Sequence, residues 1–189
     1  MKKIVVDIET SLTFANVKAR TSLEALQPTV FALHPWIAVT RTEDGEVEEW
    51  DSGLAIALLE TLQRYTVIGW NIRAFDLPII AQTAILQGMR TAFEPLEFID
   101  VFDAIHRVTR VMFKLEEIAQ LNFGEGKLGD SATIPAAFAA GHFDAIFAHC
   151  ARDVDLEWRV YQAALTGLKL PAVPASKWLP EQTFTLPTP

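Results

Sequence analysis

Two carboxylates near the start of the chain have a spacing that suits metal-dependent chemistry. Asp7 and Glu9 lie two residues apart in the apolar run KKIVVDIET. Side chains alternate along a β-strand, so both carboxylates are expected on one face, with Cα atoms ~7 Å apart. Two acids on one face of a buried strand are costly unless their charge is compensated, and a divalent cation would compensate it. The alternative interpretation is that the strand ends here and water solvates both acids.

A second group of polar residues lies in the stretch VIGWNIRAFDLPII, residues 67–80. A strand-like run leads into a short turn, and Asp76 then opens a helix that tolerates Pro78 in its first turn. Asp76 is either a functional carboxylate or simply the N-cap of this helix. Asn71 follows the strand at its C-terminal end, which is where binding loops gather in α/β sheets.

The third group lies on a predicted amphipathic helix, FAHCARDVDLEWRVY, residues 147–161. His149 and Asp153 are four residues apart and therefore share one face of the helix. In isolation the pair favours the interpretation as a partly exposed contact worth roughly 0.3–0.5 kcal/mol. Asp155 and Glu157 are expected elsewhere on the helix.

The elements that must position these groups follow from hydrophobic periodicity and turn residues. Strands are predicted in KKIVVDIET, VFALHPWIAVTRT, EVEEWDS, TVIGWNI and the start of LEFIDVFDAI. Helices are predicted in GLAIALLETLQRY, DLPIIAQTAILQGM, KLEEIAQLNFG, ATIPAAFAAG and the third group, which runs to about Gly167. A β-meander followed by alternating helices and strands predicts an α/β protein with a mixed central sheet and helices on its faces.

The length of 189 residues favours one domain, which we place at residues 1–167. Residues 168–189 contain five of the ten prolines and are predicted to form an extended C-terminal tail. The net charge of −8 argues against broad, non-specific attraction to nucleic acid or anionic membranes. A cleft that binds metal can nevertheless accept a phosphate.

The single cysteine, Cys150, excludes an internal disulfide and a zinc site built from cysteines. No run of apolar residues is long enough for a membrane span or a signal peptide, so a cytoplasmic location without membrane association is expected. The glycine-rich loop GEGKLGD carries Lys127, which either reaches a phosphate or is an ordinary solvated lysine.

In their order and spacing, the motifs VVDIET, GWNIRAFDLPII and HCARDVDLEWRVY resemble those of the DEDD family of 3′–5′ exonucleases. The resemblance extends from about Lys3 to Leu165. The second motif is most similar to bacterial and phage relatives of the proofreading domain of family-B DNA polymerases. The resemblance implies a ribonuclease-H-like fold, in which helices flank a mixed five-stranded sheet of three antiparallel strands followed by parallel strands.

The resemblance also implies a set of metal ligands, namely Asp7, Glu9, Asp76 and Asp153. In this family four carboxylates hold two divalent cations, and oxygen ligands suit Mg²⁺ or Mn²⁺ better than zinc. Two cations ~4 Å apart activate a water, neutralise the attacked phosphate and stabilise the leaving oxygen. The implied reaction is hydrolysis at the 3′ ends of single-stranded nucleic acid, with DNA favoured over RNA.

Contacts with the terminal nucleotide are implied for Thr10 and Asn71, with Phe75 or Trp70 stacking on a base. Phe75 is equally compatible with a place in the core. The sequence shows no polymerase or helicase domain, so any proofreading role is expected in trans, with a polymerase or repair protein as a partner.

The sequence departs from the family pattern at His149, which the resemblance implies to be catalytic. One branch of the family has a tyrosine three intervening residues before the last aspartate, and another has a histidine with four between them. Here a histidine stands at the tyrosine spacing. Imidazole titrates near neutral pH and can act as a base toward water. Cys150, which follows it, is interpreted as core packing.

Two alternative functions remain open from the sequence. The departure at His149 and the acidic charge are compatible with an inactive module that keeps the fold and binds metal or nucleic acid. An endonuclease of the wider ribonuclease-H-like group is the other.

Overall fold

The computed structural model describes residues 1–12, 31–89, 96–126, 131–172 and 182–187. Five strands form one sheet in the order β3-β2-β1-β4-β5. Their bounds are β1 Lys3–Thr10, β2 Trp36–Thr42, β3 Val47–Asp51, β4 Thr66–Gly69 and β5 Phe98–Asp100. The first three strands pair antiparallel, whereas β4 and β5 run parallel to β1. The predicted mixed sheet is therefore confirmed, with β1 at its centre.

Helices cover both faces of this sheet. The described helices are α1 Ala55–Leu62, α2 Asp76–Leu86, α3 Val101–Thr109, α4 Leu115–Phe123, α5 Ile134–Ala140 and α6 Phe143–Thr166. In LEFIDVFDAI only a strand was predicted, whereas the structure has β5 followed directly by α3. Asp100 ends β5 and accepts a hydrogen bond from the amide of Asp103 at 3.0 Å. This capping bond starts a helix directly after the strand.

The alternation of side chains along β1 divides the interior into two cores. Ile4 and Ile8 face the core that contains α1 and α2. Val5 faces the opposite core, which contains α6. Asp7 and Glu9 are an even number of residues from Val5, so they face α6 as well. The period of the strand thus places both predicted carboxylates beneath the long helix.

The chain beyond α6 packs on the core that contains this helix. Strand β6, Leu168–Leu170, pairs antiparallel with β7, Gln182–Phe184. The side chains of Leu168, Leu170, Phe184 and Leu186 are buried in that core. The division at residue 167 stays a prediction, and residues 173–181 and 188–189 of the predicted tail lie outside the described residues. Among the described residues, no helix is long and apolar enough to cross a bilayer.

Candidate active site

The site lies where β1 and β4 stop pairing. The two strands pair from Lys3 with Thr66 to Val5 with Ile68. Beyond this point, the amide of Ile8 donates a hydrogen bond to Oδ1 of Asp76 at 3.0 Å. A buried amide needs an acceptor, and a side chain supplies it here in place of a neighbouring strand. This bond fixes the start of α2 against β1, between the two acids of the first motif.

Asp76 is the first residue of α2, and Phe75 occupies the N-cap position without making a side-chain capping bond. The Asp76 side chain reaches the sheet instead, so the interpretation of this residue as a simple N-cap is wrong. Burial raises the pKa of the Asp76 carboxyl to about 7, and the charges of Asp100 and Glu9 add to the increase. Hydrogen bonds from the backbone amides of Ile8 and of Asp76 itself oppose this shift.

Helix α6 brings His149 and Asp153 to the other side of β1. His149 is 4% exposed and Asp153 is fully buried, so the pair is not a surface ion pair. Nε2 of His149 lies 3.2 Å from Oε1 of Glu9 and 4.0 Å from Oδ2 of Asp153. One possible ligand atom from each of these three residues lies within 4.8 Å of the other two. Glu9, His149 and Asp153 thus form a compact trio of donors.

Asp7 contacts the same turn of α6 through Cys150. The Cys150 thiol donates to the backbone oxygen of Asp7 at 3.1 Å and lies 3.3 Å from its Oδ2. Burial raises the pKa of the Cys150 thiol well above its ordinary value, and the charges of Asp7 and Glu9 raise it further. A neutral, buried thiol suits the predicted packing role. Asp7 and Asp76 therefore flank the trio and do not belong to it.

Two residues with implied nucleotide contacts make bonds within the chain. The hydroxyl of Thr10, at the end of β1, is buried and donates to the carbonyl of Leu12 at 2.6 Å. Asn71 follows β4 with a positive φ of 65°, and its backbone amide donates a hydrogen bond to Oδ1 of Asp100 at 2.9 Å. The Asn71 backbone is thereby held at the edge where the parallel strands end.

The two candidate stacking residues pack against the protein. The ring of Phe75 is partly buried and meets Phe31 edge to face, with centroids 5.3 Å apart. Trp70 meets Phe102 in a similar way at 5.6 Å. Contact with the core, the alternative given above for Phe75, is therefore observed, and stacking on a base stays a prediction for both residues.

Two buried acids near the site were not predicted from the sequence. Asp100 accepts from the amides of Asn71, Arg73 and Asp103, and burial raises its pKa. Its place between a strand and a helix was the available signal. Glu157 is 3% exposed, so its expected place away from the site face is wrong. It lies four residues after Asp153, and this i, i+4 spacing could have revealed the shared face.

The opposite face of α6 holds the start of the glycine-rich loop. Glu125 bonds to Arg152 at 2.6 Å and to Arg159 at 2.8 Å. These hydrogen bonds lower the pKa of Glu125 to about 2, and the bond from Arg159 has the larger effect. Asp155 lies near both arginines on this face. Lys127 lies outside the described residues, so its predicted alternatives stay open.

Comparison with known proteins finds similarity among solved structures. No protein-family model and no curated protein matches the chain. The fold is similar to part of a DNA polymerase. One similar structure is that of the family B DNA polymerase from the hyperthermophilic archaeon Pyrobaculum calidifontis, with a TM-score of 0.64 and 12% sequence identity. The match covers 87% of this chain and 24% of the polymerase, so this chain spans about a quarter of it. At this identity the match shows the fold alone.

The donors in the site are suited to a divalent cation. Carboxylate oxygens are the usual ligands of Mg²⁺ and Mn²⁺, and imidazole binds transition metals. A cation would compensate negative charge on the partly buried Glu9 and the buried Asp153. The residues present therefore fit a metal site, which lies near the carboxyl ends of β1 and β4.

Proposed function

We propose that this protein is a metal-dependent 3′–5′ exonuclease of the DEDD family that acts on single-stranded ends, with DNA favoured over RNA. The observation that carries the proposal is the convergence of Glu9, His149 and Asp153, with Asp7 and Asp76 beside them. Similarity to part of a DNA polymerase supports the choice of nucleic acid as the substrate class.

Asp7, Glu9, Asp76 and Asp153 would hold two ions of Mg²⁺ or Mn²⁺. Bound there, the ions would supply an activated water and neutralise charge on the phosphate. The protein itself fixes the carboxylates by burying Asp153 and by tying Asp76 to the amide of Ile8. In this proposal, His149 orients the attacking water or accepts its proton.

Substrate contacts are proposed for Thr10, Asn71 and Phe75, which surround the C-terminal ends of β1 and β4. The ordered backbone of Asn71 would hold its side chain beside the terminal nucleotide. The protein would meet a polymerase or a repair protein as a separate chain, and its location would be cytoplasmic.

The activity can be tested with a 5′-labelled single-stranded DNA, in EDTA and with Mg²⁺ or Mn²⁺. Products that shorten stepwise from the 3′ end, and only with metal, are the expected result. Asp153→Asn and Asp7→Ala should abolish the ladder. Asp155→Asn is the matched control, because Asp155 lies on the opposite face of α6 beside Arg152 and Arg159. Full activity of Asp7→Ala would refute the proposal.

A binding module without turnover is the second candidate. The 3.2 Å contact between His149 and Glu9 favours it, because a protonated imidazole could neutralise this acid without a cation. Binding of the labelled DNA or of Mn²⁺ with no shortening would support this candidate. Cleavage of a circular single strand would instead indicate an endonuclease.

A further inference from the structure

His149 has two possible positions in a nuclease site, beside the cation or bound to it. Its imidazole is 4% exposed and lies between α6 and β1. Nε2 faces two carboxylates, Oε1 of Glu9 at 3.2 Å and Oδ2 of Asp153 at 4.0 Å. Nε2 is therefore the ring nitrogen that is placed to contact a cation held by these carboxylates.

These distances are compatible with three ligands around one ion. Two donors at about 2.1 Å from a cation cannot be more than about 4.2 Å apart. Both distances from Nε2 satisfy this limit, and all three separations are within 4.8 Å. A small inward movement of Glu9 or Asp153 would complete the geometry. The i, i+4 spacing of His149 and Asp153 is also the spacing by which one helix presents two metal ligands.

We propose that His149 binds the metal directly through Nε2, so that Glu9, His149 and Asp153 form an O–N–O site that prefers Mn²⁺ and Zn²⁺ to Mg²⁺. This inference rests on the proposed function, since it concerns the same site, and it changes the role given to His149 there. A nitrogen that binds a cation has no lone pair left for a proton, so Nε2 cannot be ligand and base together. The preference follows because imidazole suits transition metals, whereas Mg²⁺ requires oxygen ligands.

Metal binding to the pure protein, without nucleic acid, tests the inference by isothermal titration calorimetry. Mg²⁺, Mn²⁺ and Zn²⁺ are each titrated into the unaltered protein, His149→Gln and His149→Phe. We expect affinity in the order Zn²⁺, Mn²⁺, Mg²⁺. Both variants should bind Zn²⁺ and Mn²⁺ more weakly by at least about tenfold and leave Mg²⁺ affinity nearly unchanged. His106→Gln is the matched control, because it removes a histidine from α3.

A direct observation of the imidazole keeps the test decisive if a variant fails to fold. The chain has four histidines, and ¹⁵N NMR of their side chains before and after addition of Zn²⁺ reports which nitrogen binds. One Nε2 should change on addition of one equivalent, and His106→Gln should keep that change. If no histidine nitrogen responds, or if His149→Gln binds all three metals as tightly as the unaltered protein, the inference is wrong.

The outcomes separate this inference from the proposed function. Loss of Zn²⁺ and Mn²⁺ affinity in His149→Gln, in a protein that never shortens DNA, would support the ligand role and reject the exonuclease. Normal exonuclease activity, with metal affinities that do not depend on His149, would support the exonuclease and reject the ligand role.

Discussion

The amide of Ile8 and the carboxylate of Asp76, 68 residues apart in the chain, are joined by a hydrogen bond of 3.0 Å. The bond holds the start of α2 against the central strand at the point where its pairing with β4 has ended. Asp76 consequently has two roles, because it satisfies the backbone of the sheet and also contributes charge beside Glu9.

The first prediction concerns the pH dependence of stability without metal. Asp76 titrates near 3.8 in the unfolded chain and at about 7 in the fold, so between these values the folded state binds more protons. Its contribution to the unfolding free energy is full below 3.8 and is lost as pH rises through 7, at up to about 1.4 kcal/mol per pH unit. Asp76→Asn keeps an oxygen acceptor for Ile8 and should remove this slope.

Urea unfolding in EDTA from pH 4 to 8 measures the unfolding free energy of the unaltered protein and of Asp76→Asn as a function of pH. The variant should gain stability relative to the unaltered protein as pH rises, and saturating Mn²⁺ should reverse the order. Parallel curves over this range would contradict the raised pKa.

The second prediction concerns Gly69, at the end of β4. A Cβ atom here would overlap the Cγ2 methyl of Ile72 and come within 3.2 Å of Glu157 Oε2 and the Val6 carbonyl. Gly69→Ala should therefore lower the unfolding free energy by about 1–3 kcal/mol, measured by urea unfolding. Gly126→Ala is the control, because its nearest neighbour is the end of the Glu116 side chain at 3.3 Å. Equal stability of the two variants would show that the turn after β4 can adjust.

The third prediction concerns Asp100, whose carboxylate holds the turn between β4 and α2. Asp100→Ala leaves the amides of Asn71, Arg73 and Asp103 without this acceptor and should cost about 1–2 kcal/mol. Hydrogen exchange at these three amides should accelerate. Asp51→Ala, which removes a single capping bond to Gly53, should not change their exchange. Unchanged protection in Asp100→Ala would mean that other groups hold the turn.

The fourth prediction concerns the reactivity of Cys150. Its thiol is fully buried and has a raised pKa, so a disulfide reagent such as DTNB should modify it only after unfolding. Ala148 is exposed on the same helix, so Ala148→Cys should add one thiol that reacts at once. Rapid modification of Cys150 in the folded protein would show that the contact with Asp7 opens readily.

Local periodicity was sufficient to predict the elements that carry the site. Alternation along β1 placed Asp7 and Glu9 on one face, and the i, i+4 spacing placed His149 with Asp153. Both rules depend only on backbone geometry, so they hold without knowledge of the neighbours. The order of strands and helices predicted the mixed sheet for the same reason.

Features that depend on tertiary contacts were not predictable in this way. The Ile8–Asp76 bond joins distant segments, and burial of Glu157 depends on how α6 lies across β4. Strands β6 and β7 are three residues each, too short for a clear periodic pattern, and they exist because they pair with each other. The short helix α3 was hidden because the apolar residues of β5 continue into it.

The length of α6 sets a fixed distance between the candidate metal site and the C-terminal end of the helix. The helix carries Asp153 near its middle and ends at the exposed Thr166, about 20 Å away along the axis at about 1.5 Å per residue. Strands β6 and β7 pack beside this end, where the amide of Leu186 donates to the carbonyl of Ala164 at 2.7 Å. A spin label on a cysteine at position 166 would thus stand at a fixed separation from a paramagnetic Mn²⁺ beside Asp153, and would report occupancy of the site without touching it.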